Sequence, residues 1–151
     1  MNEEVFRIVE LSQQGFNCSQ VLLQMGLEAQ GKSDPDLIRA VYGVAWGIGF
    51  TNNVCGALTG GACLLSLYAG KGSPEEEAHE NIISMIRELV EWFKEDVGAR
   101  YGGINCVDIL GEDSASQGAN CGNVVVRTYF KVVEILNANG IPLSGKPADS
   151  E

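Results

Sequence analysis

Apolar residues along the chain recur mainly at helical spacing. Val5, Ile8, Val9 and Ser12 mark one face of a first helix, and Gly15 stops it. Asn17 is placed to cap a second helix over about 18–29, with Val21, Leu22 and Met25 inward and Gly31 at its end. Ser33 or Asp34 caps a third, with Pro35 at its first position and Leu37, Ile38 and Val41 apolar. A fourth covers about 55–68. For the fifth, Ser73 reads as the cap, Pro74 as the first residue, and Glu75, Glu76 and Glu77 suit the positive end of the dipole. Ile82, Ile86, Leu89, Phe93 and Val97 then recur at steps of four, three, four and four, before Gly98 or Gly102 ends the helix. A short helix follows Cys106 through Val107, Ile109 and Leu110 to Gly111. The last covers about 123–137. Its Val124, Val125 and Val126 favour a strand, but Tyr129, Val132, Val133 and Leu136 restore helical spacing, and Gly140 and Pro142 close it. The pattern predicts an all-α fold, a compact bundle of about six or seven helices with glycine in the joints.

Length changes this picture little: 151 residues suit one domain, read as 1–143, followed by a polar, frayed tail over 144–151. Hydrophobic residues at 45% and charged residues at 20% are ordinary globular usage and argue against disorder. Charge is more selective. Twenty acidic against ten basic residues leave a net −10, which disfavours nucleic acid and anionic membrane surfaces as partners. The start, Met1-Asn2-Glu3-Glu4, is acidic and lacks the apolar run of an export signal, so a reducing cytoplasmic location is expected. The stretch 40–70 carries no charge, yet Thr51-Asn52-Asn53 and six glycines interrupt it. It reads as two buried helices joined by a polar turn rather than as a membrane hairpin.

The candidate chemistry lies in five cysteines, an odd number that no complete disulfide framework can use. Cys18, Cys106 and Cys121 each directly follow an asparagine (Asn17, Asn105, Asn120), and Cys55 follows Asn53 by two. Asparagine is a leading N-cap residue, so these four cysteines are expected in the first turns of helices. Unpaired N–H groups and the dipole there stabilise a thiolate, the form that acts as nucleophile and as metal ligand, and lower the thiol pKa. Cysteine is also among the most buried residue types, so a purely structural role stays open beside a reactive or ligating one. No C-x-x-C is present, and gaps of 37, 51 and 15 residues separate the four, so only the tertiary fold can assemble them. Cys63 sits eight residues after Cys55 among Ala62, Leu64 and Leu65, about 80° off its helical face, and reads as buried filler. His79, the single histidine, reads as exposed, and Trp46 and Trp92 as core or half-buried aromatics. With one histidine a Ser-His-Asp arrangement has no support, and Gly47-Ile48-Gly49 is too short for a phosphate loop.

The segment Cys55-Gly56-Ala57-Leu58-Thr59-Gly60 matches C-G-A-x-x-G. With Gly15-Phe16-Asn17-Cys18-Ser19-Gln20 upstream and Cys106 and Cys121 downstream, the chain resembles, over about 15–136, the C_GCAxxG_C_C family. Those are small bacterial and archaeal proteins of about this length, defined by four cysteines and assigned a redox role from them. The resemblance implies that Cys18, Cys55, Cys106 and Cys121 are the reactive thiols of a thiol-based oxidoreductase or electron carrier with a redox partner protein, and that Cys63 lies outside the pattern. Gly56 and Ala57 leave no bulk beside the Cys55 sulfur, and Gly60 lets another helix approach, so this segment is the candidate for admitting a cofactor, a metal or a second sulfur. Related domains are thought able to hold an iron–sulfur centre. The same four cysteines are therefore alternative ligands of a [2Fe–2S] cluster or zinc. The third reading is an all-α interaction protein whose cysteines only pack. A cationic partner surface would suit the net charge, and self-association is left open.

Overall fold

A computed structural model describes residues 2–111 and 114–145, the latter without the side chains of 114–118. The last six positions of the expected tail, 146–151, lie outside the described residues. Among the described residues the chain forms eight helices and no strand. They are α1 (Glu3–Gln13), α2 (Cys18–Ala29), α3 (Pro35–Ala40), α4 (Trp46–Phe50), α5 (Gly56–Ala69), α6 (Ile82–Tyr101), α7 (Cys106–Leu110) and α8 (Ser114–Ala138), with a 3-10 turn at Val41–Val44. The all-α class expected from the periodicity is the class observed.

Several local signals act as expected. The Asn17 side chain accepts from the Gln20 N–H at 3.2 Å, and the Gln20 side chain accepts from the Asn17 N–H at 3.2 Å, a reciprocal cap on α2. Asp34 accepts from the Leu37 N–H at 3.1 Å and Pro35 opens α3. Gly102, at φ 81°, turns the chain out of α6.

The core forms around α5, which packs on α2, α6 and α8. Two neighbouring glycines serve different partners. A Cβ on Gly60 would lie 2.7 Å from the Ser19 Cα of α2, and one on Gly61 would lie 3.0 Å from Leu89 of α6 and 2.9 Å from Thr128 of α8. Further along, Gly26 of α2 leaves room for Leu64 and Leu67 of α5. Ser19 thus meets Gly60 while Gly26 meets Leu64, so α2 and α5 run in the same direction and begin at the same end of the molecule. Leu22, Leu65, Leu89, Phe93, Val132, Ile135 and Leu136 are fully buried around this pair. Arg127 of α8 donates twice to Asp96 of α6, at 2.9 and 2.7 Å, and ties those helices together.

Three expectations need correction. The fifth helix begins at Ile82, not after Ser73. Residues 71–78 are all exposed, and the first buried side chain of α6 is Met85. A helix over 74–81 would have had nothing to pack against, and packing rather than capping stabilises most helices. Glu76 instead accepts from the Gly72 N–H at 2.6 Å, and His79, half-buried rather than exposed, accepts from the Asn81 N–H at 3.0 Å. The uncharged stretch holds one long helix, α5, and not two. Its first half is the 3-10 turn followed by α4, whose backbone is left-handed. Finally, α8 begins at Ser114, nine residues before the expected start. Among the described residues no helix is long and apolar enough to cross a membrane.

Candidate functional site

The joint beginning of α2 and α5 organises the site. Cys18 is the first residue of α2, and Cys55 is the N-cap of α5, its Sγ accepting from the Ala57 N–H at 3.4 Å. Between them lies Gly56, where a Cβ would stand 2.6 Å from the Cys18 Sγ. The missing side chain is therefore the space that the Cys18 sulfur occupies. Gly56 and Ala57 face the resulting cavity, whereas Gly60 packs against Ser19 and takes no part in it.

Cys106 arrives through a feature that periodicity could not disclose. Val54 and Asn105 form an isolated antiparallel bridge. The Cys55 N–H donates to Ile104 O at 2.9 Å and the Cys106 N–H to Asn53 O at 3.0 Å. Residues flanking a bridged pair point to the opposite face from it, so Cys55 and Cys106 share one face as diagonal neighbours. Asn105 sits before α7 as expected, its N–H donating to the Asp108 carboxylate at 3.1 Å.

Cys121 comes from the interior of α8, not from a helix start. Asn120 does not cap its helix. Its amide donates to Ile109 O at 3.0 Å and so ties α8 to the end of α7. Three helix beginnings therefore converge, not four. All four cysteines line one cavity of about 730 Å³. Cys55 and Cys106 are 7% and 8% exposed, and Cys18 and Cys121 are half-buried. Cys63 is half-buried against the core and lies off this wall, as its helical phase suggested.

The left-handed segment closes one side. Trp46, Gly47, Ile48, Gly49 and Phe50 have φ of 60°, 62°, 59°, 69° and 65°. For the three non-glycine residues this conformation costs about 1–2 kcal/mol each. Such strain persists only where the surroundings impose it, and it clusters at functional sites. Here it brings the Trp46 backbone to Cys18, where the Trp46 and Ser19 N–H groups favour the thiolate and offset part of the effect of burial. Trp46 is exposed at the cavity edge rather than buried, stacked on Phe50 with ring centroids 5.2 Å apart. The uncharged run predicted a buried helix here, and the alternating glycines of Trp46-Gly47-Ile48-Gly49-Phe50 were the signal against one. Val5 and Val9, on the predicted face of α1, line the cavity, with Val9 41% exposed.

The electrostatics reverse the sequence expectation. Burial pushes the Cys18, Cys63 and Cys106 thiols up, not down. Burial, with repulsion from Cys18 next, carries Cys55 to about 12 and Cys121 to about 11. The few N–H groups at the helix starts offset part of the lost hydration and no more. All five cysteines are free. Among the described residues no group of three or more His, Cys, Asp or Glu side chains is placed to hold a metal ion.

One family model spans this constellation. The model described as "Putative redox-active protein (C_GCAxxG_C_C)" matches residues 16–135, from just before Cys18 to beyond Cys121. The chain belongs to the C_GCAxxG_C_C family. No curated protein and no solved structure matches it. In this C_GCAxxG_C_C protein the four cysteines that the sequence resemblance singled out are the four that share the cavity.

Proposed function

We propose that this C_GCAxxG_C_C protein is a thiol–disulfide redox protein in which Cys18 and Cys55 are the exchanging pair. The observation that supports this most directly is the Cys18 sulfur lodged over Gly56, next to Cys55, where α2 and α5 begin together. Oxidation joins the two sulfurs, releases two protons and passes two electrons to an acceptor. Cys18 is the attacking sulfur. It is half-buried rather than buried, and its thiolate would keep the Trp46 and Ser19 N–H donors. Cys106 and Cys121 stand in the same wall as second-line thiols that take over the disulfide or resolve it. A redox partner protein would return the pair to the dithiol by exchange at Cys18, the more accessible member. The raised thiol pKa values keep the resting protein protonated and slow to react at neutral pH, which protects it from indiscriminate oxidation.

Anaerobically reduced protein treated with diamide should lose two thiols, and peptide mapping should find Cys18 joined to Cys55. The sequence supplies Lys32 and Arg39 as cleavage points between them. Cys18→Ser and Cys55→Ser should each abolish that bridge, and Cys63→Ser should not. Iron with sulfide-type absorption in anaerobically purified protein would replace this reading with the cluster, and unreactive thiols would leave only a packing role.

A further inference from the structure

Most of the large apolar side chains that the described residues leave exposed cluster around the cysteine cavity. They are Phe6 and Val9 on α1, Trp46, Ile48 and Phe50 on the left-handed segment, and Val107 on α7. Trp46 and Val9 line the cavity itself, and Phe6 stands on α1 three residues before Val9. Trp46 stacks on Phe50. Gly47 comes so close to α7 that a Cβ there would lie 2.8 Å from the Cys106 Cβ, which sets the segment beside Val107, the next residue of that helix. Exposed apolar surface gathered in one place marks an interaction site, whereas single exposed apolar residues do not.

Two unfavourable features coincide on the segment. Ile48 and Phe50 hold φ of 59° and 65°, which disfavours side chains of their size, and those side chains are then 47% and 70% exposed. Burial does not explain their presence, and neither lines the cavity. Strained backbone that carries exposed apolar side chains beside four thiols fits a surface built to be covered. The charges nearby say what covers it. No residue from 40 to 70 is charged, and neither is any described residue lining the cavity. Glu3 and Glu10 share the exposed α1 stripe of Phe6, and Asp108 follows Val107. Arg7, the cation of α1, is engaged by Glu28 at 2.8 and 2.7 Å. A second copy of the chain would bring its own charge of −10 onto this acidic rim, and an anionic lipid surface would be repelled as well. A protein with an apolar centre and a basic rim complements it.

Resting on the thiol-redox reading above, we propose that the Trp46-Gly47-Ile48-Gly49-Phe50 segment, with Val107 and Phe6, is the docking surface for a dithiol reductase protein whose reactive cysteine sits in an apolar patch ringed by lysine and arginine. Docking brings that cysteine to the cavity edge, where Trp46 stands. Its thiolate attacks the Cys18 sulfur of the Cys18–Cys55 disulfide. That S–S bond breaks, an intermolecular disulfide to Cys18 forms, and Cys55 leaves as a thiolate that takes a proton. The second thiolate of the partner then attacks the partner's own sulfur, frees Cys18 and closes the partner's disulfide. Two electrons pass to this chain. Its disulfide becomes two thiols as the partner's dithiol becomes a disulfide, and the two thiol protons of the partner are replaced on Cys18 and Cys55.

Two synthetic dithiol peptides are the probes, both built on Trp-Cys-Gly-Pro-Cys, one flanked by lysines and the other by glutamates. Each is mixed with diamide-oxidised protein, and the return of the Cys18 and Cys55 thiols is timed. At low ionic strength the lysine peptide should reduce the parent about tenfold faster than the glutamate peptide, and about 0.5 M salt should bring the two together. Phe50→Asn and Ile48→Asn install a residue that tolerates positive φ, so they remove the apolar side chains and keep the backbone. Each should slow the lysine peptide about fivefold. Dithiothreitol, which needs no docking surface, should reduce both variants as fast as the parent. Ile83→Asn removes an exposed apolar side chain of α6, outside the patch, and should leave every rate as it is. The proposal is overturned if both Asn variants at 48 and 50 react with the lysine peptide like the parent, or if the glutamate peptide is as fast. It is equally overturned if sedimentation shows the parent to be a dimer that Phe50→Asn separates, because a second copy then covers the patch. If diamide fails to close the Cys18–Cys55 bridge, the thiol-redox reading itself falls, and the docking proposal with it.

Discussion

Gly47 separates two reasons for a glycine. Its φ of 62° would ordinarily explain it, yet Trp46, Ile48 and Phe50 hold the same left-handed backbone with full side chains. What distinguishes Gly47 is contact: a Cβ there would lie 2.7 Å from Asn53 O and 2.8 Å from the Cys106 Cβ. Gly49, at φ 69°, has nothing within 4 Å. Gly47→Ala should therefore cost roughly 1–3 kcal/mol beyond whatever Gly49→Ala costs, because overpacking adds to backbone strain. Paired urea denaturation curves measure the difference, and equal midpoints would show that φ alone matters. Gly56 follows the same logic, since it is the Cys18 sulfur that fills its missing side chain. Of the two motif glycines, Gly56 makes room for a sulfur and Gly60 for the close approach of α2.

At the scale of elements, caps and burial make unequal contributions. The Asn17 cap coincides with the start of an element whose residues bury at once, from Ser19 to Leu23. Ser73, Pro74 and the three glutamates offer equally good local signals, but no helix forms there because that segment is exposed. Ser73→Ala should change stability by less than about 0.5 kcal/mol. Phe93→Ala, in the fully buried stripe of α6, should cost about 3–5 kcal/mol. Thermal melts of both variants test this, and a large effect at Ser73 would mean the segment is helical after all. The stripe Ile86, Leu89, Phe93 and Val97 was legible because its steps of three and four are the helix's own. The left-handed α4 was not legible, because nothing in an apolar, glycine-rich segment specifies handedness. Its conformation is imposed by contacts with Asn53 and Cys106, distant in sequence or local only after folding.

Taken whole, the molecule keeps its thiols neutral. Cys55 and Cys121 are raised from the ordinary 9.0 to about 12 and about 11. For an acid raised in the folded state, the unfolded chain ionises first as pH climbs. The stabilising difference is therefore complete below pH about 9 and is lost as pH rises through 11 to 12. The urea midpoint should hold steady near neutrality and fall above pH about 9, and Cys121→Ser should fall less steeply than the parent. A midpoint that rises in this window would contradict the burial described here. The same protonation makes thiol reactivity climb with pH across the alkaline range.

The sequence by itself determined the helical class, most helix boundaries where capping and burial agree, and the four-cysteine pattern of the family, because these depend on local period, cap chemistry and a motif. Only the tertiary structure decided that α2 and α5 begin together, that Cys121 projects from mid-helix, and that the thiols are raised rather than lowered. The reason is physical. A helix start supplies a fixed local dipole, readable from neighbours in sequence, whereas desolvation depends on every segment that packs above the sulfur, and that sum exists only once the chain has folded.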